Sequence, residues 1–443
     1  MVVGIIVGSS IFVQPSEVSR AVPSFHGMLL VWIAAGALTW FGASICAELA
    51  SAFPLTGGVY VFLREMFSPA AGFLWGWAMF WSMHSGIIAA IAMVFGRYAA
   101  TIVPMGDAGI RWTAVAGILT LSAINYAGVR PGSAVQTALT ASKIAAILVL
   151  LAVLFGLGRL TPPAAAGAVT VTGFFRGLAA GLFAFGGWHM VTYAAEETRD
   201  PERTIPRALM LGTALVVLIY LMLNAAYLLV LPFDRVLAST HIAFDATGAA
   251  AGPAAASAIS ALVIVSSLGA ISGIVLAGPR VYLAMAGDGL LFGWMGAVHA
   301  KYRTPYRAIV AQAVWSSVLV LTGTYGTIVS RVIYTEWIFF AALALGTLGL
   351  RRRRTSVSAF RAWGFPATPA LFALTCLGLV IAQIVSDPSN SLSGLALVAA
   401  GLPVYYAWRR AHARDRFSQP LLSAGVPQGA AVGRERRQGD QRR

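Results

Sequence analysis

Apolar runs of roughly twenty residues recur from one end of this chain to the other, each long enough to cross a hydrocarbon core of about 30 Å. A segment surrounded by lipid must satisfy its own backbone, and for successive runs of this length the solution is the α-helix. Composition agrees. Of 443 residues, 58% are hydrophobic and only 11% charged, against about one quarter charged in a soluble globular chain. The sequence therefore predicts an all-α integral membrane protein, with the lipid bilayer as its surroundings. Cys46 and Cys376 both fall within apolar runs and read as small buried residues, suggesting neither a disulfide framework nor a metal cluster.

The spans read as 1–20, 27–52, 70–101, 111–128, 133–157, 173–197, 206–231, 255–286, 307–323, 327–350, 367–386 and 391–408. Pro54, Gly57, Gly58 and Arg64 mark a loop between the second and the third. The first span opens abruptly, with Met1-Val-Val already apolar and Gly4 a turn later, as a helix would read without its first turn or two. Residues 1–410 form the transmembrane domain, and the charged stretch 411–443 reads as a basic, disordered cytoplasmic tail. The net charge of +15 is not a nucleic-acid signature, because the basic residues sit in loops and in the tail. One set of alternate loops carries Arg64, Arg130, Arg199, Arg203, Arg207, Lys301, Arg303, Arg307 and the run from Arg351; the opposite set is poor in them. The positive-inside rule then places both termini in the cytoplasm and requires an even number of spans, about twelve. The arginine run from Arg351 reads as topogenic or as a site for anionic lipid head groups.

Two of these spans contain glycines that a lipid-facing helix has no reason to hold. The first carries Gly4-Ile-Ile-Val-Gly8-Ser9-Ser10-Ile11-Phe12, ending at Pro15. The sixth carries Gly186-Gly187-Trp188, followed by His189, Tyr193 and the acidic pair Glu196–Glu197. Each mid-helix glycine costs up to about 1 kcal/mol relative to alanine. Open backbone is tolerated at membrane depth only where it is buried in protein or lines a cavity. Interrupted segments in corresponding positions of two halves point to the substrate site of an inverted-repeat transporter. At the first break the amides of Ser9, Ser10 and Ile11 begin a half-helix whose positive end favours a carboxylate. Carbonyls of Ile6 and Val7, joined by those of Phe183 and Gly186, can accept from an ammonium group. A zwitterion with both charges on one carbon satisfies both sets. The competing reading is that Gly4-x-x-x-Gly8 is a helix-packing face.

Lys143 lies within the fifth span, where a cation costs on the order of 2.5–3.5 kcal/mol and normally faces inward with a partner. It reads either as a fixed charge standing where a sodium ion would bind, bridging the first and eighth spans beside Ser266 and Ser267, or as a snorkelling side chain. Glu48 reads as a gate residue paired with an arginine or as an interface marker. Phe183 and Trp188, beside the break, can close over a substrate. Nucleophile elbow, Walker loop, HExxH and paired-cysteine motifs are absent, so no catalytic residues, no metal and no cofactor are indicated.

These motifs resemble a known family. Gly4-x-x-x-Gly8-Ser9-Ser10-Ile11-Phe12-x-x-Pro15 is similar to the first-span signature of the amino acid–polyamine–organocation superfamily. FAFGGWHMVTYAAEETRDPERTIPRAL resembles the sixth span and following loop of its L-type amino acid transporter branch, and is accompanied by Ala47-Glu48-Leu49, Pro54-x-x-Gly57-Gly58-x-Tyr60, Ser142-Lys143, the Gly278–Gly289 region and Thr335-Glu336-Trp337. The resemblance implies a LeuT-type fold, with inverted repeats at 1–157 and 173–350 and two extra helices at 367–408. It implies that Ser9 and Ser10, with neighbouring Gly8 and Ile11, hold the substrate carboxylate. Ile6, Val7, Phe183, Gly186, Gly187 and Trp188 would complete the substrate site, with Phe183 and Glu48 as gates. Lys143 matches the lysine that replaces sodium, so sodium-independent exchange is expected. Ser10 departs from the usual third glycine. Gly186 stands where members accepting cations often carry an acid, which favours neutral L-amino acids. Neither cysteine is in a loop, so no covalent heavy-chain partner is expected. The expected location is the plasma (inner) membrane. The alternatives are a proton-coupled carrier of polyamines or cationic amino acids, and a non-transporting amino acid sensor or membrane subunit.

Overall fold

A computed structural model describes residues 2–159, 167–353 and 358–418, and no strand occurs among them. The chain enters through α1 (Val2–Ile6), leaves helical geometry, and resumes through a 3-10 turn at Ser10–Phe12 into α2 (Gln14–Ala21). α3 (Phe25–Ala52) begins where the Ser24 side chain accepts the Gly27 amide, relieving an end donor that the helix leaves unpaired. α4 (Val59–Met66) is short. α5 (Pro69–Ala78) and α6 (His84–Ile102) make one rod, interrupted by a π turn at Met79–Met83. α7 (Asp107–Tyr126) and α8 (Val129–Leu157) follow. α9 (Val171–Ala184) gives way to a 3-10 segment, Trp188–Glu197, before α10 (Pro201–Val230). α11 (Phe233–Ala238) and α12 (Ile242–Ala251) lead to α13 (Pro253–Ala277), which continues past Gly278 as α14 (Pro279–Gly287). α15 (Tyr306–Thr322), α16 (Tyr325–Arg352), α17 (Ala367–Ser386), α18 (Pro388–Ala399) and α19 (Gly401–Ser418) complete the bundle.

Eight helical stretches among the described residues are long and apolar enough to cross a membrane. The other expected spans fall short for identifiable reasons. The first and sixth are broken. α15 has 17 residues, and α7 is diluted by Asp107, Arg111 and Asn125. α10 shows how the chain divides between lipid and core. Leu211, Leu215 and Leu218, spaced four and three apart, are exposed, whereas Thr213, Tyr220, Asn224 and Tyr227 are buried. Apolar side chains thus face outward and polar ones inward, as a lipid solvent dictates. α10 packs along α3, α13 against α6 and α8, and α16 against α17.

Several boundaries need correction. The loop expected around Arg64 contains α4, whose Tyr60, Val61, Phe62 and Leu63 are buried, so the segment is a docked amphipathic helix. The last expected span is broken at Ala400, and its helix α19 runs to Ser418, beyond the expected start of the tail at 411. Residues 419–443 of that tail, and Arg354 of the arginine run, lie outside the described residues.

Gly58 fixes how α4 approaches the sixth-span segment. Its φ of 51° is in the left-handed region, and a β-carbon there would lie 2.2 Å from Thr192 Oγ1. Gly58→Ala is therefore expected to destabilise the protein by about 1–3 kcal/mol, from backbone strain and overpacking together. Gly156, at which an added β-carbon meets nothing within 4 Å, is the control. Gly156→Ala should leave the thermal midpoint of the detergent-purified protein unchanged or raised, while Gly58→Ala lowers it. Equal midpoints would contradict the close approach.

Candidate functional site

Two backbone interruptions lie side by side in the bundle. In the first, α1 ends at Ile6 and residues 7–9 bend before the 3-10 turn begins at Ser10. In the second, α9 ends at Ala184 and turns through Gly187, whose φ is 92°. A β-carbon on Gly187 would lie 2.7 Å from Ile5 Cγ2, so this glycine is what lets one break close against the other. The 10-residue 3-10 segment that follows is long for its kind, and Ala194 within it leaves helical geometry altogether.

Between the breaks is a narrow cavity of about 20 Å³, about the room one water needs. Its wall includes Ile6, Gly8, Ser10, Phe183, Gly186 and Gly187, all singled out from the sequence. Val7, Ile11 and Trp188 are buried but do not line it. Trp188 instead packs tilted on Phe340, with ring centroids 5.0 Å apart, and lies against Gly42 of α3. Ser9 is fully buried, and its hydroxyl has no hydrogen-bond partner among the described residues. The first amides of a helix have no partner within it, so those opening the Ser10 turn remain available to an anion. The carbonyls differ from the expectation. Ile6 O accepts the Gly8 amide at 2.6 Å and the Tyr220 hydroxyl at 2.9 Å, while Phe183 O accepts the Gly186 amide at 3.0 Å. Phe183 O also accepts the Phe185 amide, so each of these carbonyls already takes two donors, and one must let a donor go to meet a ligand.

Tyr220 of α10 joins the two breaks, and the sequence reading missed it. Its hydroxyl lies 2.9 Å from Ile6 O and 3.2 Å from Ala184 O, spanning both breaks with one donor. The available signal was a tyrosine in mid-span, whose hydroxyl must find a partner away from water. Glu336 and Trp337 of α16 also line the cavity, and Glu336 is the one ionisable side chain on that wall among the described residues.

Lys143 is fully buried and donates to Gly4 O at 2.6 Å. A β-carbon on Gly4 would fall 2.2 Å from Thr140 Oγ1, so α1 sits directly on α8 one turn before the lysine. Toward α13 the lysine lies beside Gly269, at which a β-carbon would come within 3.3 Å of Nζ. The expected serine partners are not engaged with it. Ser267 Oγ donates to Val263 O, the back-bond a serine makes within its own helix, and Ser266 Oγ has no partner among the described residues.

Three ion pairs tie separate helices together. Glu48 of α3 accepts from Arg351 Nε at 2.6 Å and from the Ala362 amide at 2.8 Å. Glu197, closing the sixth-span segment, takes Arg280 of α14 in a bidentate pair at 2.7 and 2.8 Å. Asp288, just past α14, accepts from Arg64 and from the Tyr60 hydroxyl of α4. Glu197 therefore faces away from the cavity, and the Glu48 pair is the more buried of these, with the two side chains 4% and 19% exposed.

A helical membrane bundle with two spans undone beside each other around a closed cavity defines a membrane carrier for a small solute. The chain belongs to the amino acid permease family of the amino acid–polyamine–organocation superfamily, whose sequence profile matches residues 1–405. Membership makes it a permease rather than an enzyme and a multi-pass membrane protein. It is 29% identical over 422 residues to the serine/threonine exchanger SteT of Bacillus subtilis, covering 93% of this chain and 95% of that protein. It is 26% identical over 419 residues to the human cystine/glutamate transporter, covering 92% and 83% respectively. The mouse b(0,+)-type amino acid transporter 1 is 28% identical over 425 residues, covering 92% and 85%.

Replacing Tyr220 by Phe removes the donor shared by Ile6 O and Ala184 O while keeping the ring. The expected loss is about 1–3 kcal/mol, the cost of leaving buried acceptors short, read as a lowered thermal midpoint in detergent. An unchanged midpoint would show that the breaks do not depend on this hydroxyl.

Proposed function

We propose that the protein is a sodium-independent exchanger of small neutral L-amino acids, working by alternating access. The observation that carries this reading is the pair of facing helix breaks, with the opening of the Ser10 turn and the residues Phe183 and Gly186 of the second break on the wall of the same cavity. A carboxylate suits the amides of the first and an ammonium the carbonyls of the second. The wall is otherwise largely apolar, with isoleucines at 87, 91, 274 and 333, which suits a short neutral side chain. Several relatives are by name amino acid exchangers or transporters, and this supports the same class of substrate here. Ser9, Ser10 and Ile11, with Gly8, take the carboxylate in this reading. Phe183 is the near gate, Val7, Gly187 and Trp188 support the site, and Lys143 stands in for sodium by holding α1 through Gly4 O.

The same reading assigns a LeuT-type architecture of about twelve spans, counting the two broken helices and the shorter ones, with repeats at 1–157 and 173–350 and two further helices at 367–408. Both termini are cytoplasmic, in the plasma (inner) membrane, on the strength of the arginine-rich loops. The ion pairs of Glu48, Glu197 and Asp288 then form the inner gate. Cys46 and Cys376 are buried in α3 and α17, which favours function without a covalently attached subunit. A cationic substrate is the second reading, and Glu336 on the cavity wall is the observation in its favour.

Counterflow of radiolabelled amino acids in proteoliposomes, with and without sodium, tests both. Serine, threonine, alanine and other short neutral amino acids are expected to exchange equally well without sodium. Exchange confined to lysine, arginine or polyamines would favour the second reading, and exchange of no amino acid would overturn the proposal. Lys143→Met keeps the stem but loses the ammonium. It is expected to slow exchange at least about tenfold, in line with the about 1.5–3 kcal/mol of a charge-assisted hydrogen bond; undiminished exchange would reduce Lys143 to packing.

A further inference from the structure

Behind the cavity wall lies a buried polar cluster that substrate binding through the helix breaks does not use. Glu336 of α16 is 5% exposed, and its Oε1 has no hydrogen-bond partner among the described residues. His189, two residues past Gly187, is fully buried, and neither ring nitrogen has a hydrogen-bond partner among the described residues. His189 Nε2 and Glu336 Oε1 are 3.6 Å apart, too long for a made hydrogen bond and short enough for an ion pair. The imidazole is walled by Trp75 of α5 at 5.7 Å, Phe340 of α16 at 5.1 Å and Trp188 at 5.4 Å between ring centroids. Among titratable groups, His84 of α6 faces His189, and Tyr193, from the same segment as His189, faces Glu336 and also Tyr282 of α14 and Cys46 of α3. Tyr193 Oη and His84 Nε2 are 3.5 Å apart, extending the polar path toward α6 just beyond its π turn. No lysine or arginine pairs with Glu336 among the described residues.

We propose that Glu336 and His189 form a proton-binding site on the substrate cavity, and that the loaded carrier closes only with one proton on this pair. This site acts within the exchange cycle proposed above. With one proton the pair is neutral overall, whether as carboxylic acid beside imidazole or as carboxylate beside imidazolium. With none it is a lone buried carboxylate, and with two a lone buried imidazolium. Uncompensated charge in a low-dielectric interior is strongly disfavoured. Closure therefore selects the singly protonated form. When the cavity opens, water replaces the missing partners and the pair titrates freely. The proton binds from water to a lone pair of Glu336 Oε1 or His189 Nε2 on the open face and leaves to water on the opposite one, so one proton enters and one leaves per half-cycle. Glu336, on the wall, is the group next to the substrate. His189 acts through it as a positioning residue.

The test is counterflow of a transported neutral amino acid in proteoliposomes, with equal pH inside and out, from about pH 5 to about pH 9, a range that brackets the ordinary histidine value. The wild-type rate is expected to fall about tenfold per pH unit above a midpoint, the signature of one required proton. Glu336→Gln, uncharged at every pH, is expected to lose this slope, and His189→Gln to move the midpoint. A flat wild-type profile, or an unchanged slope in Glu336→Gln, overturns the proposal; the latter would place the titration on another buried group, such as Lys143 or His84. Should Glu336→Gln not exchange at all, an unmoved midpoint in His189→Gln overturns it instead. Failure of the wild type to exchange any amino acid would be a failure of the transport reading itself.

Discussion

A peptide carbonyl at membrane depth has no water to bond to, and the structure of this permease depends on where its loose carbonyls find donors. Tyr220 supplies the answer for both broken spans at once, with one hydroxyl set between Ile6 O and Ala184 O. The arrangement makes the breaks interdependent. Moving either half-helix away from α10 takes its own carbonyl off this donor, with no solvent to compensate. Gly187 permits the approach, since any β-carbon there would run into Ile5. Lys143 adds a second tether by donating to Gly4 O one turn before the first break. Backbone satisfaction, rather than side-chain packing alone, thus decides where the two spans meet and how closely.

The same economy governs the charged groups. At the far end of the second span Glu48 is met by Arg351 and the Ala362 amide, so its burial leaves no unpaired charge. The Glu197–Arg280 pair is bidentate too, but its Glu197 side chain is 53% exposed, and exposed pairs contribute little. Glu48 is therefore the stronger latch. Glu336 and His189 break the pattern, because their facing atoms are buried and leave hydrogen-bonding capacity unused. A buried polar pair left short, beside a cavity, marks where the chain trades stability for something else.

Much of this was legible in the chain. The apolar runs marked most spans within a few residues, and 367–386 coincided with α17. Gly186-Gly187 and Gly8 fell at the two breaks, whereas Gly4 lies within α1 and packs against Thr140, as the competing packing reading had it. The misses have a common cause. α4 was read as a loop because eight residues are too few to cross lipid, and a short docked helix has the composition of a loop with apolar residues. Trp188 sat next to a break in sequence, but its direction depended on the turn at Gly187, and it faces α3 and α16. Tyr220 and Glu336 lie far along the chain from the residues they face, and the pattern within one helix does not show which residue of another it meets. Ser266 and Ser267 were placed with Lys143 by spacing along the span, whereas the lysine reaches α1 and Gly269 instead.

The central claim is that the two opened helices hold an amino acid by its own charges. An experimental structure of the purified protein with a transported neutral amino acid measures this most directly. The account predicts ligand density between the breaks, with the carboxylate against the amides of Ser9–Ile11 and the ammonium facing the carbonyls of Ile6, Phe183 and Gly186. Continuous α-helix through residues 4–12 and 181–190, or ligand bound only in the larger outer groove near Trp81, Trp315 and Arg331, would contradict it.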